Sequence, residues 1–492
     1  MGNANSVLTE SETRHLMRRA GFGATPKELA KLVKRGLTRG QLVDGLLKYK
    51  PKPLKVSKKD EMDEVYDRWL ESMLTTKTPL LEKLTLFWHD HFATANASVQ
   101  NSEQMAHQNS LLRLMSKGNF RELLKRINKD PAMMDFLDTV RNRRKTPNEN
   151  YARELMELFT LGVEDETGAA NYAQEDIVQI ARSFTGWRLD DKDVAVFREN
   201  SHDFNVDFPE RGPKVIFKTH GGFGPAGIDL AIYGEGAIEI DYVIDVMLAH
   251  HDTQGQSTVG RRITRRMFEF FASADPSTAL VDQLLAASGF AVSWDIAALV
   301  KTILVHDAFY ATAAPPPYEA GTKKSVKWPI DYVVSTLRLL GIKPKRRKYS
   351  GLAIADSDSL RSHLDDMGQR LFDPPSVFGW DWEGAWISSA TLLARFRFAR
   401  DLAAARVKGT QGFHPEKLMS LTPQAPDAIL NAASNVLGLA DQLSAADRGF
   451  LIDYLTDGGA LPALDLTNVD LRNRKLHGLF ALLLQSPAYQ LH

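Results

Sequence analysis

Apolar residues return every three or four positions through almost all of this 492-residue chain, and that spacing constrains the fold more than any other feature. It marks one face of an α-helix, which turns every 3.6 residues. The pattern runs through 8–20, 27–48, 62–75, 79–93, 103–116, 119–127, 147–161 and 173–185. It resumes at 238–250, 258–272, 278–288, 294–308, 327–340, 359–372, 387–406, 425–437, 443–455 and 471–486. The exception is 193–218, where "VAVFR", "FNVDF" and "KVIF" are short β-type runs broken by polar turns, expected as a hairpin or three-stranded flap. The sequence thus predicts a mainly α protein: a large multi-helix orthogonal bundle with a small β-hairpin insertion near 193–218. Three regions are expected. Residues 1–190 form an N-terminal helical region, 191–236 a β-flap and Gly-rich loop, and 237–492 a C-terminal helical region with a Trp-rich loop at 367–386. Pro315 to Pro317 cannot continue a helix and should run extended.

Composition removes several function classes. Lys+Arg and Asp+Glu both total 61, so no global field draws in nucleic acid or an anionic membrane. The basic runs "RRITRR" (261–266) and "KPKRRK" (343–348) are expected as solvated faces or helix ends. With no cysteine there is no disulfide framework, thiolate nucleophile or Cys-ligated metal. No apolar run approaches the roughly 18 residues of a membrane span, so no transmembrane segment is expected. The N-terminal stretch lacks an apolar h-region, so no signal peptide is expected in this sequence. "MGNANS" fits the myristoylation pattern at Gly2, a pattern short enough to arise by chance.

Candidate chemistry gathers in two helices and a loop. In 79–93, Leu80, Leu84, Phe87 and His91 follow at spacings of 4, 3 and 4, which puts His91 on the apolar face. His89 points well off that direction, so both could bind one ion only if the helix ended near Trp88. The plainer account is a buried histidine hydrogen-bonded to a neighbour. In the second helix, Thr146 to Glu149 reads as a capping box with Pro147 at the first turn. Asn150, Glu154 and Glu157 then share one stripe. Two carboxylates three residues apart can hold a hard cation, share a proton-transfer task, or hold Arg153, Arg182 or Arg188 in ion pairs. The stretch "MGQRLFDPPSVFGWDWEGAW" (367–386) carries Trp380, Trp382 and Trp386, rings that either stack on a sugar or pin a long loop.

Six ordered motifs point to a family. "RRAGFG" (18–23), "FWHDHFAT" (87–94), "NENYARELMELFTLG" (148–162), "DIVQIARSFTGW", "FYATA" (309–313) and "MGQRLFDPPSVFGW" together resemble the bacterial domain of unknown function 1800 family over roughly residues 10 to 405. The resemblance implies a predominantly helical fold and supplies no catalytic residue. It implies export to the periplasm or cell surface, and as partners a sulfatase-like protein encoded nearby or a polysaccharide. The chain departs from the family at "HDFNVDFPERGPK" (202–214), longer than the usual turn, which puts a role for His202 and Asp203 in doubt, and at "HHDTQGQST" (250–258).

Two functions follow as expectations, and whether the chain is an enzyme stays open between them. One is a metal-dependent hydrolase acting on an envelope or extracellular polymer. Glu154, Glu157 and His91 would then be catalytic, and His89, His91, Glu154 and Glu157 would hold a divalent metal ion, with His202 as a further ligand. Asn150, Arg182, Trp380 and Trp382 would bind substrate. The other is a non-catalytic binding or scaffold protein partnering an exported enzyme, with the tryptophan loop as its surface.

Overall fold

A computed structural model describes residues 3–57, 59–311, 325–347, 351–354, 358–405 and 412–492. Gly2 and Pro315 to Pro317 lie outside the described residues. The protein is mainly α, as the periodicity requires. Glu10–Arg19, Met62–Thr75, Pro79–His91, Ser102–Met115, Thr258–Phe271 and Ser389–Ala404 fall on the expected apolar runs. Their ends follow local chemistry: Thr9 and Glu12 form a capping box, and the side chain of Asn101 accepts from the N–H groups of Glu103 and Gln104. The run 27–48 is two helices, Pro26–Lys34 and Arg39–Leu47. Gly36 takes a positive φ of 56° after the first, and Thr38 caps the second in a box with Gln41. A continuous apolar face had hidden this break.

The β-structure differs from the expected flap. Trp187–Leu189 pairs antiparallel with Ala195–Phe197, and Val215–Ile216 pairs with Ile228–Asp229, as two separate two-stranded ladders. Asp190 builds the first turn by accepting the N–H groups of Lys192 and Val194 at 2.9 Å each. "FNVDF" forms no strand. A third ladder, Lys345–Arg347 with Gly351–Ala353, takes up part of "KPKRRK", a run expected as a solvated face or helix end.

The helix Pro79–His91 runs through the centre, and all of its residues are buried. Each polar side chain on it therefore needs a partner. Lys83 donates to Asp331 at 2.8 Å, and Glu82 accepts from Arg113 Nη2 at 2.8 Å and from Trp69 Nε1 at 3.1 Å. Among the described residues no helix is long and apolar enough to cross a membrane.

Two further helices position the site. The first runs as Asn150–Glu154 in α form and Leu155–Thr160 in π form. The capping box read at Thr146 does not form: Glu149 occupies the N-cap without a side-chain cap bond, and its carboxylate pairs with Arg153 at 3.0 Å. Asn148 Oδ1 accepts the N–H of Asn150 instead. The second, Thr258–Phe271, begins where Ser257 Oγ accepts from Gly260 N. At its other end Arg19, from "RRAGFG", donates to the carbonyls of Phe270, Phe271 and Ala272 at 2.6–3.1 Å. The N-terminal motif thereby caps the helix that carries "RRITRR".

Candidate functional site

His89 and His91 face different neighbourhoods. His89 Nε2 accepts the N–H of Phe372 at 3.0 Å, and its ring meets Trp69 edge-on at 5.1 Å. Burial pushes its pKa down to about 3, so the ring is neutral with its proton on Nδ1. His91 Nε2 donates to the carbonyl of Phe159 at 3.1 Å, and its buried Nδ1 has no hydrogen-bond partner. Burial, then Arg266 and Arg262, hold it well below the usual histidine range. The two rings carry their protons on opposite nitrogens and do not converge.

On the glutamate helix Asn150 is exposed, while Glu154 and Glu157 are half-buried. Arg153 bridges Glu157 at 3.4 Å. Burial, then the neighbouring Glu157, pushes the Glu154 carboxyl above its ordinary range. The structure joins this helix to the histidine helix through the Phe159 carbonyl rather than through carboxylates. Among the described residues no group of three or more His, Asp and Glu side chains is placed to hold a metal ion. His89, His91, Glu154 and Glu157 therefore make no common donor set.

The π-turn explains two of these contacts. The N–H groups of Leu161 and Gly162 both return to the Met156 carbonyl at 2.9 Å, which leaves the Leu158 and Phe159 carbonyls to outside donors. His91 takes the second and Arg262 Nη2 the first, at 3.2 Å. Gly162 sits here at φ +83°, a conformation that L side chains rarely adopt.

The residue that joins the motifs is Asp90, between the two histidines. Its Oδ1 accepts the N–H of Trp380 at 2.8 Å; its Oδ2 accepts Trp382 Nε1 at 3.0 Å and Arg266 Nη2 at 3.3 Å. Burial outweighs these donors and pushes the carboxyl up to about 6. Sequence reasoning passed over Asp90, although a charge inside a wholly buried helix is itself a signal that a donor must come from elsewhere.

"RRITRR" is no solvated face, contrary to expectation. Arg261 is buried against Asp252 and Asp282, and Arg265 pairs with Glu166 at 2.7 Å. Arg262 is held down to about 10 by burial. The guanidinium of Arg266 lies 5.3 Å from the Trp382 ring centre, a cation–π arrangement. Arg262, Arg265, Arg266, Glu269, Asp381, Trp380 and Trp382 line an open cleft of about 320 Å³. Burial pushes the Glu269 carboxyl above its ordinary range. Of the three loop tryptophans, Trp380 and Trp386 are buried, and Trp382 is half-buried, packed against Phe270 and Trp328.

Arg182 lies in a separate buried network. It donates to Asp203 at 3.1 and 3.2 Å and to Gln179 Oε1 at 2.8 Å. Beside it His202 sits between the Thr185 carbonyl at 2.8 Å and the Glu239 carboxylate at 3.2 Å, and Lys214 reaches the same carboxylate at 2.7 Å. The long 202–214 loop still returns Lys214 to His202, and the network ties the β-ladders to the helix Glu239–Leu248.

The protein is thus mainly helical, with a cleft of tryptophan and arginine side chains between its motif elements. The chain belongs to the family described as Protein of unknown function (DUF1800), which matches residues 15–491, nearly its full length. No curated protein and no solved structure matches it.

Proposed function

We propose that the chain is a non-catalytic binding protein for a saccharide, with Trp382 as the stacking surface. The observation that carries this reading is a half-buried tryptophan lining a 320 Å³ cleft among guanidinium and carboxylate groups. A sugar ring offers an apolar face to an indole, and each hydroxyl both donates and accepts, which suits arginines beside carboxylates. Envelope and extracellular polysaccharides, the partner class the family resemblance implies, are of this chemistry. Asp90 serves the cleft by holding Trp382 and Arg266 through one carboxylate. Calorimetric titration with cellobiose and chitobiose tests the proposal. Trp382→Ala should weaken binding about tenfold, or about 1.4 kcal/mol; equal affinity in variant and wild type would remove the reading.

A hydrolytic reading draws on one observation, the half-buried Glu154 whose carboxyl is pushed above its ordinary range by burial and by Glu157. It predicts release of monosaccharide from the same disaccharides, abolished in Glu154→Gln. Absence of turnover by the wild type would leave the binding reading alone.

A further inference from the structure

Two depressions lie along the arginine helix, and a third adjoins the second. The tryptophan cleft is the first. The second, about 80 Å³, shares Arg262 and Arg265 with it and adds Asp165 and Asp252. The third, about 230 Å³, shares Asp165 and Asp252 with the second and adds His220, Gly221, Gly222 and His251. Neighbouring depressions share lining residues, so the three are adjacent and together outline a trough, smallest in the middle. Its stretch along the helix from Arg261 to Glu269 alone spans about 12 Å at 1.5 Å per residue.

We infer that this trough is a single binding groove and that its ligand is a linear, uncharged oligosaccharide of three or more rings. The inference rests on Trp382 as a saccharide platform and deepens that reading. One ring lies against Trp382, another in the histidine–glycine end, and the chain crosses the small middle depression between them. Length follows from the trough: a single sugar would fill the tryptophan end and leave the rest empty.

Absence of charge on the ligand follows from the walls. Arg261 is bound by Asp252 and Asp282 at 2.6 Å each, and Arg265 by Glu166. Asp165 accepts from Thr167 Oγ1 at 2.6 Å and from the N–H groups of Thr167, Ala169 and Thr253 at 2.8–3.1 Å. Asp165 keeps its charge, and Arg262, Glu269 and Asp381 bring both signs to the lining, so the walls favour no ligand of a single charge and offer donors and acceptors to hydroxyl groups. The far end is shaped by glycine. Gly221 has φ +76°, and a Cβ there would lie 2.5 Å from the His250 ring; Gly222 (φ +78°) faces His251 Cβ at 3.7 Å. His251 is exposed, and its backbone N–H donates to the Gly221 carbonyl, so its side chain can be removed without touching that bond.

The experiment is calorimetric titration of the full chain with cello- and chito-oligosaccharides from two to six units, using wild type, Trp382→Ala and His251→Ala. Affinity should rise at least tenfold from the disaccharide to the tetrasaccharide or beyond. His251→Ala should return the hexasaccharide to disaccharide affinity and leave the disaccharide unchanged, while Trp382→Ala weakens every length. Affinity independent of length, with Trp382→Ala still damaging, overturns the groove and keeps the tryptophan site. A length dependence that ignores His251→Ala places the chain off the helix and also overturns the groove. No binding by either series overturns both readings.

Discussion

Replacing Gly379 by alanine should loosen the tryptophan loop by a calculable amount. Gly379 has φ +82°, and a Cβ there would stand 2.5 Å from Asp90 Oδ1 and 2.7 Å from the Asp90 carbonyl oxygen. Two costs follow. A side chain in the left-handed region costs roughly 1–2 kcal/mol. Displacing Oδ1, which accepts the Trp380 N–H at 2.8 Å, loses a charge-assisted bond of about 1.5–3 kcal/mol. The sum is about 2.5–5 kcal/mol. Gly368 supplies the control: its φ is +88°, and the nearest atom to an added Cβ is Thr391 Cγ2 at 3.8 Å. Gly368→Ala should therefore show only the first cost. Urea unfolding of wild type and both variants gives the difference, expected at about 1.5–3 kcal/mol in favour of Gly368→Ala. Gly379→Ala should also weaken cellobiose binding, because the indole of Trp382 depends on the same carboxylate. Equal destabilisation by the two alanines would refute the tight seat of Gly379 on Asp90.

Three other expectations are as specific. The Asp90 carboxyl, held up at about 6, lies above its unfolded value, so its protonated form stabilises the fold below about pH 4, and that contribution is lost as pH rises through about 6. Asp90→Asn removes the titration, so the stability gap between wild type and variant should change by roughly 3 kcal/mol across that window; a pH-independent gap contradicts the assignment. His89, held down to about 3, contributes in the opposite sense, with stability fully present above about pH 6.5 and lost as pH falls toward 3. The loss should reach about 5 kcal/mol and be absent in His89→Gln, measured by acid titration of circular dichroism. Glu154→Gln should leave the melting temperature at neutral pH unchanged or raise it, because burial and Glu157 both oppose the charge; a lowered melting temperature would mean that the carboxylate holds an unrecognised cation.

Much of the fold was legible because helical periodicity is a local property. The apolar faces of Pro79–His91 and Thr258–Phe271 can be read from a dozen residues each. The division at Gly36 and Thr38 was legible too, as Gly followed by a capping threonine, but a continuous apolar face outweighed it. The β-ladders were harder, since strands of two and three residues carry too few alternations to set a boundary. At the site, the tryptophan loop was singled out, and Trp382 is the half-buried one of its three tryptophans. Asp90 was not, for a physical reason: its three donors lie 176 to 292 positions away, and no spacing rule reaches that far. The arginine run was misread for the same cause, because Asp252, Glu166 and Asp90 neutralise it from other segments.

The π-turn at Leu155–Thr160 makes the chain intolerant of single-residue length changes where substitutions would be absorbed. Removing any one residue there would restore ordinary α geometry, because the wider turn holds one residue more than an α-turn. The Leu158 and Phe159 carbonyls would return to the helix's own N–H groups, and Arg262 and His91 would lose their acceptors together. A deletion scan across 150–162 should therefore show a sharp band of intolerance flanked by milder positions. Within that band, loss at the glutamate helix would spread to the arginine helix and to the histidine helix through two main-chain oxygens.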